Sequence, residues 1–506
     1  MTTRVSSLRA PGAHGMLAVP PRRRASLPPP GTRPTPDRTV NYDLVVTADY
    51  ANRSADFRLL DEHGVQAAYR STDFGTIPVG RQKGLFDLRN YVRHYVGAGR
   101  ETASVAEIGV CIAEEVLGRE IFDRLYESEA HRTLRVQLPG ATEEENHLAA
   151  ALARVPWELA RGAVDHPTLA ERNLLVRVVH DVETPATLPL GLTDGECLRI
   201  LFVFAEAPGS RPLAARLERQ RLRRLFKREI YPRRRVVADF LSHGVTRERL
   251  EDLIDDRGGY HIIHWSGHGH LNLLELARAG GGRDRISGDE LLDLCGGFIP
   301  RLMFLSACHS GDILRVRDWN EFLAIAEGGN GSDAEPEDDG APERKALLEE
   351  QPGYTGTAHA LLRRGVPSVV AMRYAVGDDY ARELGVEFYR ALLAHKQPKS
   401  AAASLMMARQ SLLDDGKHDP ATYSVCDHAT PVLYGAEHPG IELPEGRSPA
   451  LDDRVRRLHQ IGELTASNHE HFVGRTWQLA ELGSDFIGSR RGEETTPVAV
   501  ITGLGG

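Results

Sequence analysis

From Leu198 onward, apolar residues recur in short runs, separated by longer segments in which they repeat every three or four positions. Four runs predict buried strands at Leu198–Ala205, Val236–Leu241, Tyr260–Trp265 and Leu302–Ser306, and a fifth strand is predicted at Val366–Met372. Further elements are predicted around them: helices at Leu213–Glu229, from Thr246, from the capping box of Ser287 and Glu290, and at Thr357–Arg364, Asp378–Ala394 and Ser400–Leu413, and a last strand at Pro431–Tyr434. This alternation is typical of a mostly parallel sheet flanked by helices.

The preceding stretch, residues 41–190, also has a globular pattern. Strands are predicted at Tyr42–Asp49, Asp56–Leu60, Thr133–Leu138 and Leu174–Val179, and helices at Leu85–Tyr95 and Ser104–Glu127. No residues in this stretch have the types and spacing of a catalytic site. We therefore predict an α/β accessory region at 41–190 and a second domain at 191–445.

Three other segments lack this periodicity. Residues 1–40 are rich in Pro and Arg and are predicted to be a disordered leader. Residues 327–343 are rich in Gly, Asp and Glu and predict a flexible acidic loop inside the second domain. Residues 446–470 are expected to form a linker to a further segment at 471–506.

Composition narrows the class of protein. Of the 506 residues, 41% are hydrophobic and 26% are charged, which is typical of a soluble globular chain. The net charge of −9 disfavours nucleic acid as a partner, and no apolar run is long enough to predict a transmembrane helix. Five scattered cysteines do not predict a disulfide framework. We therefore expect a cytoplasmic protein in which a cysteine is free to react.

Two segments carry candidate chemistry, and each is an apolar strand that ends in small residues around a reactive side chain. His268 follows the predicted third strand, and Cys308 follows the fourth. Functional groups gather at the carboxyl ends of parallel strands, and neighbouring strands lie about 4.8 Å apart. An imidazole beside a thiol activates it as a nucleophile and later protonates the leaving amine. The sequence therefore predicts a Cys308–His268 dyad, with an oxyanion hole formed by the backbone N–H groups of Gly269 and Cys308.

Other interpretations of these residues are less favoured. His261 and His264 are expected to be packed or hydrogen-bonded strand residues, and the cysteines other than Cys308 are expected to be buried and inert. The local histidines also suggest zinc, but His261 and His264 point to opposite faces of a strand, and no CxxC or HExxH motif accompanies them. We therefore expect no metal, and we expect no cofactor for this domain.

The same residues carry a resemblance to a known family. The chain resembles the bacterial CHAT domains, which belong to the caspase–separase clan of cysteine peptidases, over about residues 130–440. The resemblance rests on Pro156-Trp157-Glu158-Leu159, Val176-Arg177, Ser266-Gly267-His268-Gly269, Ala307-Cys308-His309-Ser310-Gly311, the segment 369–378 and Val432-Leu433-Tyr434-Gly435. It implies a caspase-like sheet, with His268 as general base and Cys308 as nucleophile.

The chain departs from the family pattern at two places that bear on substrate preference. Arg373-Tyr374 stands where the family usually has Leu-Trp, and we expect Arg373 and Asp378 to line the substrate cleft. Ser306 stands two positions before Cys308, where Arg/Lys-specific relatives have an acidic residue. Neither departure removes the predicted dyad.

A second resemblance covers only the last residues. Phe472-Val473-Gly474-Arg475 and the glycine-rich segment 498–506 are similar to the beginning of a STAND or NB-ARC type NTPase. The sequence ends before the Lys and Ser/Thr of a phosphate-binding loop, so ATP and magnesium are expected only for a missing C-terminal part.

The sequence therefore predicts a regulated cysteine endopeptidase that acts as an effector in bacterial signalling or defence. Its expected partners are a protein substrate and C-terminal NTPase and sensor domains, and it is expected to be able to oligomerise on activation. Neither nucleic acid nor a membrane is expected as a partner. The alternatives are a catalytically silent caspase-like interaction module and a nucleotide-driven switch whose N-terminal domain only binds a partner. A silent module would tend to have lost His268 or Cys308, and both are present.

Overall fold

The structure is a computed structural model of the chain. It describes residues 39–49, 54–86, 88–127, 131–138, 152–180, 189–207, 215–242, 244–270, 273–307, 356–374, 376–395, 400–414, 426–435 and 443–451. Cys308, the acidic loop at 327–343, the segment 471–506 and most of the leader and linker lie outside these ranges. No helix in these ranges is both long and apolar enough to cross a membrane.

The strands in chain order are β1 Thr39–Asp49, β2 Ser54–Leu60, β3 Gln66–Asp73, β4 His131–Leu138, β5 Leu174–His180, β6 Leu198–Ala205, β7 Val236–Ser242, β8 Ile262–Gly267, β9 Gly269–His270, β10 Leu273–Ala277, β11 Arg283–Ser287, β12 Leu302–Ser306, β13 Ser368–Met372 and β14 Pro431–Gly435. The α-helices are α1 Val79–Phe86, α2 Leu88–Tyr95, α3 Glu101–Cys111, α4 Gly118–Tyr126, α5 Ala215–Leu225, α6 Arg247–Arg257, α7 Gly288–Asp293, α8 Thr357–Arg363, α9 Asp378–Tyr389 and α10 Ala401–Asp414. Helices α3, α5 and α9 continue into π-helical turns at Ile112–Val116, Phe226–Ile230 and Arg390–Ala394.

Within the described residues, eleven strands form one sheet in the order β3-β2-β1-β4-β5-β14-β13-β12-β8-β6-β7. Neighbouring strands are parallel except at β1–β2, β2–β3 and β13–β14. A separate small sheet has the order β11-β10-β9. The predicted fold class, α/β with a mostly parallel central sheet flanked by helices, is confirmed.

The central strands β6, β8, β12, β13 and β14 are covered on both faces, which explains why they are apolar runs, whereas β2 toward the other end of the sheet alternates buried residues with more exposed ones. Along β6, Leu201 and Val203 belong to the apolar layer that includes α6 and α8. Phe202 and Phe204 belong to the opposite layer, which includes α5, α9 and α10. The side chains of β8 and β12 are buried in the same two layers. Side chains that can reach a substrate are therefore expected at the ends of these strands rather than along them.

Local signals define the ends of several elements. Helix α7 begins at the expected capping box, in which Ser287 Oγ accepts from the backbone N–H of Glu290 and the Glu290 carboxylate accepts from the backbone N–H of Ser287. Helix α6 begins after Thr246, whose hydroxyl oxygen accepts from the backbone N–H of Arg249. The sequence did not predict β3, the small sheet of β9–β11 or the π-helical turns.

The predicted accessory region (41–190) and the predicted second domain (191–445) share the large sheet, because β5 of the first pairs in parallel with β14 of the second. A buried ionic cluster lies near this pairing. Glu158, which is fully buried, lies 3.2 Å from Nη1 of Arg373 and 3.7 Å from Nη2 of Arg409. Arg373 also donates to the carbonyl oxygen of Ala429, and Arg409 donates to that of Pro431. Burial lowers the pKa of Arg373, but Glu158, Tyr374 and Tyr434 together outweigh this effect and raise that pKa above its ordinary value.

We predict that Glu158→Gln destabilises the protein by about 3 kcal/mol, because it leaves two buried guanidinium groups without their carboxylate. Urea unfolding of the variant and the wild type measures the difference. Glu107→Gln, at an exposed position of α3, is the control and should change stability by less than about 0.5 kcal/mol. Equal effects of the two substitutions would show that the cluster does not stabilise the fold.

Candidate active site

The two segments with candidate chemistry meet at one edge of the sheet. Strands β8 and β12 are parallel neighbours, and their register places Ser266 opposite Ser306. The structure therefore meets the condition on which the predicted dyad depends, that these two strands are neighbours. His268 follows β8 directly, and Ala307 follows β12 at the same edge. Cys308, the next residue, lies outside the described residues, so the dyad itself stays a prediction.

The backbone around His268 is held by the small sheet. The backbone N–H of Glu275 donates to the carbonyl oxygen of His268 at 3.0 Å. Gly269 lies in β9, opposite Leu274 of β10. The backbone of His268 is therefore anchored on both sides, by β8 before it and by β9 after it. The role of Gly269 as an oxyanion-hole donor stays a prediction.

Gly267 meets a steric requirement that the sequence did not reveal. A Cβ atom at this position would lie 2.8 Å from the carbonyl oxygen of Ala205, at the end of β6. Real Cβ atoms do not approach a backbone oxygen so closely, so a larger residue would push β8 away from β6. Gly267, next to His268, therefore allows β8 and β6 to pack closely at this edge of the sheet.

His268 lies half-buried in a small cleft that opens to solvent. The cleft is also lined by Ser266 and Ser306 from the strand ends, by Glu218 of α5, and by Asp378 and Arg382 of α9. Asp378, at the first position of α9, is exposed at the rim. Arg382 forms ion pairs with Asp379 at 2.5 Å and with Glu383 at 3.3 Å.

Arg373 has a different environment from the one expected. It is not among the residues that line this cleft, and its side chain is fully buried against Glu158. The expectation that Arg373 contacts substrate is therefore corrected. Its charge is compensated inside the protein by a carboxylate 215 residues away in the sequence, a pairing that no local pattern indicates.

His261 and His264 are interior residues, as expected. His264 is fully buried and stacks on Phe304, with ring centroids 5.0 Å apart. The ring of His261 accepts from the backbone N–H of Arg199 through Nδ1, and its Nε2 lies 3.0 Å from the carbonyl oxygen of Gly191. Burial lowers the pKa of His261 and so favours the neutral ring. In the described part of the chain, no group of three or more His, Cys, Asp or Glu residues is placed to hold a metal ion.

The sequence did not identify Glu218. Helix α5 is strongly basic, and a single glutamate among its arginines gives no signal in the sequence. In the structure its side chain is buried, and its Oε2 accepts from Oγ of Ser266 at 2.6 Å. The cleft beside His268 therefore has a carboxylate in its wall.

Comparison with known protein families shows which family the chain belongs to. The family model of the CHAT domain matches residues 148–436, more than half of the chain. The chain belongs to the CHAT domain family. The matched region of this CHAT protein extends from before β5 to the end of β14 and contains His268 and Cys308. A search of curated proteins gives no match.

Similar solved structures include two of the Saccharomyces cerevisiae separase–securin complex. The one at 3.0 Å resolution is 11% identical, with a TM-score of 0.32, and the match covers 63% of this chain and 17% of that chain. The one at 2.6 Å is 9% identical, with a TM-score of 0.40, and the match covers 78% of this chain and 30% of that chain. The CHAT protein thus spans less than a third of either chain that it matches.

We predict that iodoacetamide modifies Cys308 faster than any other cysteine of the folded CHAT protein. Burial raises the pKa of Cys111 and that of Cys295 to about 12, so these thiols should react more than about a hundredfold more slowly. Peptide mapping after timed alkylation measures the order, and the guanidinium-unfolded protein, in which the difference should vanish, is the control. Faster labelling of Cys111 or Cys295 in the folded protein would contradict the assignment.

Proposed function

We propose that this CHAT protein is a cysteine endopeptidase in which Cys308 is the nucleophile and His268 is the general base. One observation carries the proposal: His268 leaves the sheet into a cleft, at the same edge as the strand that leads to Cys308, with Ser266 and Ser306 in register. Because parallel neighbours are about 4.8 Å apart, side chains just beyond these two strand ends are within reach of each other.

In the proposed mechanism, His268 accepts the thiol proton of Cys308, and the thiolate attacks the carbonyl carbon of the scissile peptide bond. The backbone N–H groups of Gly269 and Cys308 stabilise the oxygen of the tetrahedral intermediate. The protonated imidazole then donates its proton to the departing amine, which leaves a thioester on Cys308. His268 next accepts a proton from water as the water attacks the thioester, and it returns this proton to the sulfur of Cys308 as the C–S bond breaks, which releases the carboxylic acid and the free thiol.

The biological setting is proposed on the family resemblance. The peptidase would be a cytoplasmic effector that cuts a protein substrate in bacterial signalling or defence. A C-terminal NTPase that uses ATP and magnesium would switch it on, with oligomerisation as a step in activation. A fold alone does not define such a role, so the first experiment measures peptide cleavage by the proposed dyad.

We predict that His268→Ala lowers the rate of peptide cleavage by at least about a thousandfold, because it removes the base that activates the thiol. His264→Ala should instead lower stability by about 3 kcal/mol, because it leaves a cavity among packed aromatic rings. The substrate is found by incubating the protein with a proteome and mapping new N-termini, with Cys308→Ala as the matched inactive control.

Cleavage kinetics and urea unfolding of both histidine variants then separate the two roles. Similar losses of rate in the two folded variants would show that His268 is not the specific base. If wild type and Cys308→Ala produce the same termini, the module is not a peptidase, and a silent interaction role becomes the better interpretation.

A further inference from the structure

Helix α5 and the residues that follow it carry a dense positive charge. Residues 215–235 include ten arginine or lysine residues and two glutamates, a net charge of +8, in a chain whose net charge is −9. Without this segment the chain would have a net charge of −17. A run of like charges on a helix is most often a solvated face, so the environment of each cation decides what the segment can do.

Some of these cations are used inside the fold. Arg219 and Arg234 are buried and donate to acceptors of neighbouring elements. Arg221 forms an ion pair with Glu383 of α9. These three residues therefore hold the segment against the rest of the domain.

Within the described residues, neither glutamate of the segment forms an ion pair with a cation of the same segment. Glu218 is directed to the sheet, where it accepts from Ser266 and lies 3.2 Å from His264. Glu229 lies 3.2 Å from Arg390, in the π-helical continuation of α9. The positive charge on the outer side of α5 is thus not offset by the acidic residues of its own helix.

Four cations share this outer side, which we call the basic face: Arg216, Arg224, Lys227 and Arg228. All four are exposed, and their spacing places them on one side of a helix with 3.6 residues per turn. Leu217, which is 40% exposed, lies on the same side, seven residues before Arg224. The face begins at the cleft beside His268, because Ala215 lines that cleft, and it extends about 20 Å along the helix.

We propose that the basic face binds an acidic segment of the protein substrate, away from the scissile bond, with Leu217 contacting an apolar side chain of that segment. The inference rests on the proposed peptidase function, because a polypeptide held along α5 leads to the cleft beside His268. Carboxylates of the substrate would complement the cations of the face and favour encounter with it.

Two observations favour an acidic polypeptide over a nucleic acid. Leu217 offers an apolar contact in the middle of the face, which a phosphate backbone does not use. The rest of the chain is strongly acidic, so it repels a polyanion that extends beyond the face. A short acidic segment of a polypeptide carries both carboxylates and apolar side chains, and it fits within the length of α5.

A matched pair of peptides tests the face without any cleavage reaction. One fluorescent peptide is rich in glutamate and contains leucines, and the other has glutamine in place of every glutamate. Fluorescence anisotropy with the full chain should show that the glutamate peptide binds at least about tenfold more tightly, which is about 1.4 kcal/mol. Raising NaCl from about 0.05 M to about 0.5 M should remove most of this difference, because salt screens exposed charges.

Charge removal on the face should have the same effect as salt. The test variant combines Arg224→Gln, Lys227→Gln and Arg228→Gln. The control variant removes as many charges from exposed positions of α2 and α4 by combining Arg93→Gln, Arg119→Gln and Arg124→Gln. The test variant should bind the two peptides alike, whereas the control should keep the wild-type preference to within about twofold.

Peptide substrates give the second measurement. A cleaved peptide identified by mapping new N-termini is extended at either end with the glutamate segment or with the glutamine segment. In the wild type, the glutamate extension at one end should lower KM at least about fivefold and change kcat by less than about twofold. Docking away from the reacting atoms contributes to binding and not to the chemical step. The test variant should lose this difference in KM.

The outcomes separate the docking face from the peptidase function. Equal binding of the two peptides to the wild type, or the same preference in the test variant, overturns the face. Tighter binding of a single-stranded DNA oligonucleotide of the same charge than of the glutamate peptide overturns the choice of a polypeptide. Binding that depends on the face, without cleavage of any peptide, supports the face as a docking surface for an acidic partner and removes the peptidase function.

Two further results complete the test. If the glutamate peptide binds only after residues 327–343 have been shortened, the acidic segment of the chain itself competes for the face, and the proposal that a substrate occupies it is overturned. If the test variant does not fold, the wild-type preference and its loss at high salt decide, together with the weaker preference expected for Arg224→Gln alone.

Discussion

The parallel pairing of β8 with β12 is the constraint on which the candidate site depends. In a strand, successive side chains point to opposite faces, so the register that sets Ser266 opposite Ser306 also sets His264 opposite Phe304. A slip of one residue would move every side chain of β8 to the other apolar layer. The stacking of His264 on Phe304 and the hydrogen bond from Ser266 to Glu218 would both be lost. The packing of the sheet interior therefore fixes where His268 emerges.

The joining of β5 to β14 is the second constraint, because it makes the accessory region part of the same sheet. Glu158 comes from the segment before β5, Arg373 follows β13, and Arg409 belongs to α10. Both arginines lie within ion-pair distance of Glu158, so the accessory region is coupled to β13 and α10 of the second domain. A change in one part of the cluster leaves a buried charge in the others.

Much of the fold could be predicted from the sequence, because strand cores and caps are local signals. The predicted runs at β6 and β12 match the observed bounds, and the capping box at Ser287 opens α7 as expected. Strand β3 was missed because it is half exposed and lacks a clear alternation. Arg373 was misplaced for a different reason. A lone arginine at a strand end has the same local pattern whether it faces solvent or a distant carboxylate, and Glu158 is that distant carboxylate. Glu218 was missed because its neighbours in the helix are basic, whereas its neighbours in space are Ser266 and His264.

The place of β14 in the sheet has a consequence for synthesis. This strand lies between β5 and β13, yet it is the last strand of the sheet in the chain. A chain emerging from a ribosome folds from its N-terminal end as its domains become complete. Until residues 431–435 have emerged, the sheet remains in two unjoined pieces, and the buried charges of Glu158 and Arg409 lack part of their shared surroundings. The large sheet is thus completed only after nearly the whole domain has been translated.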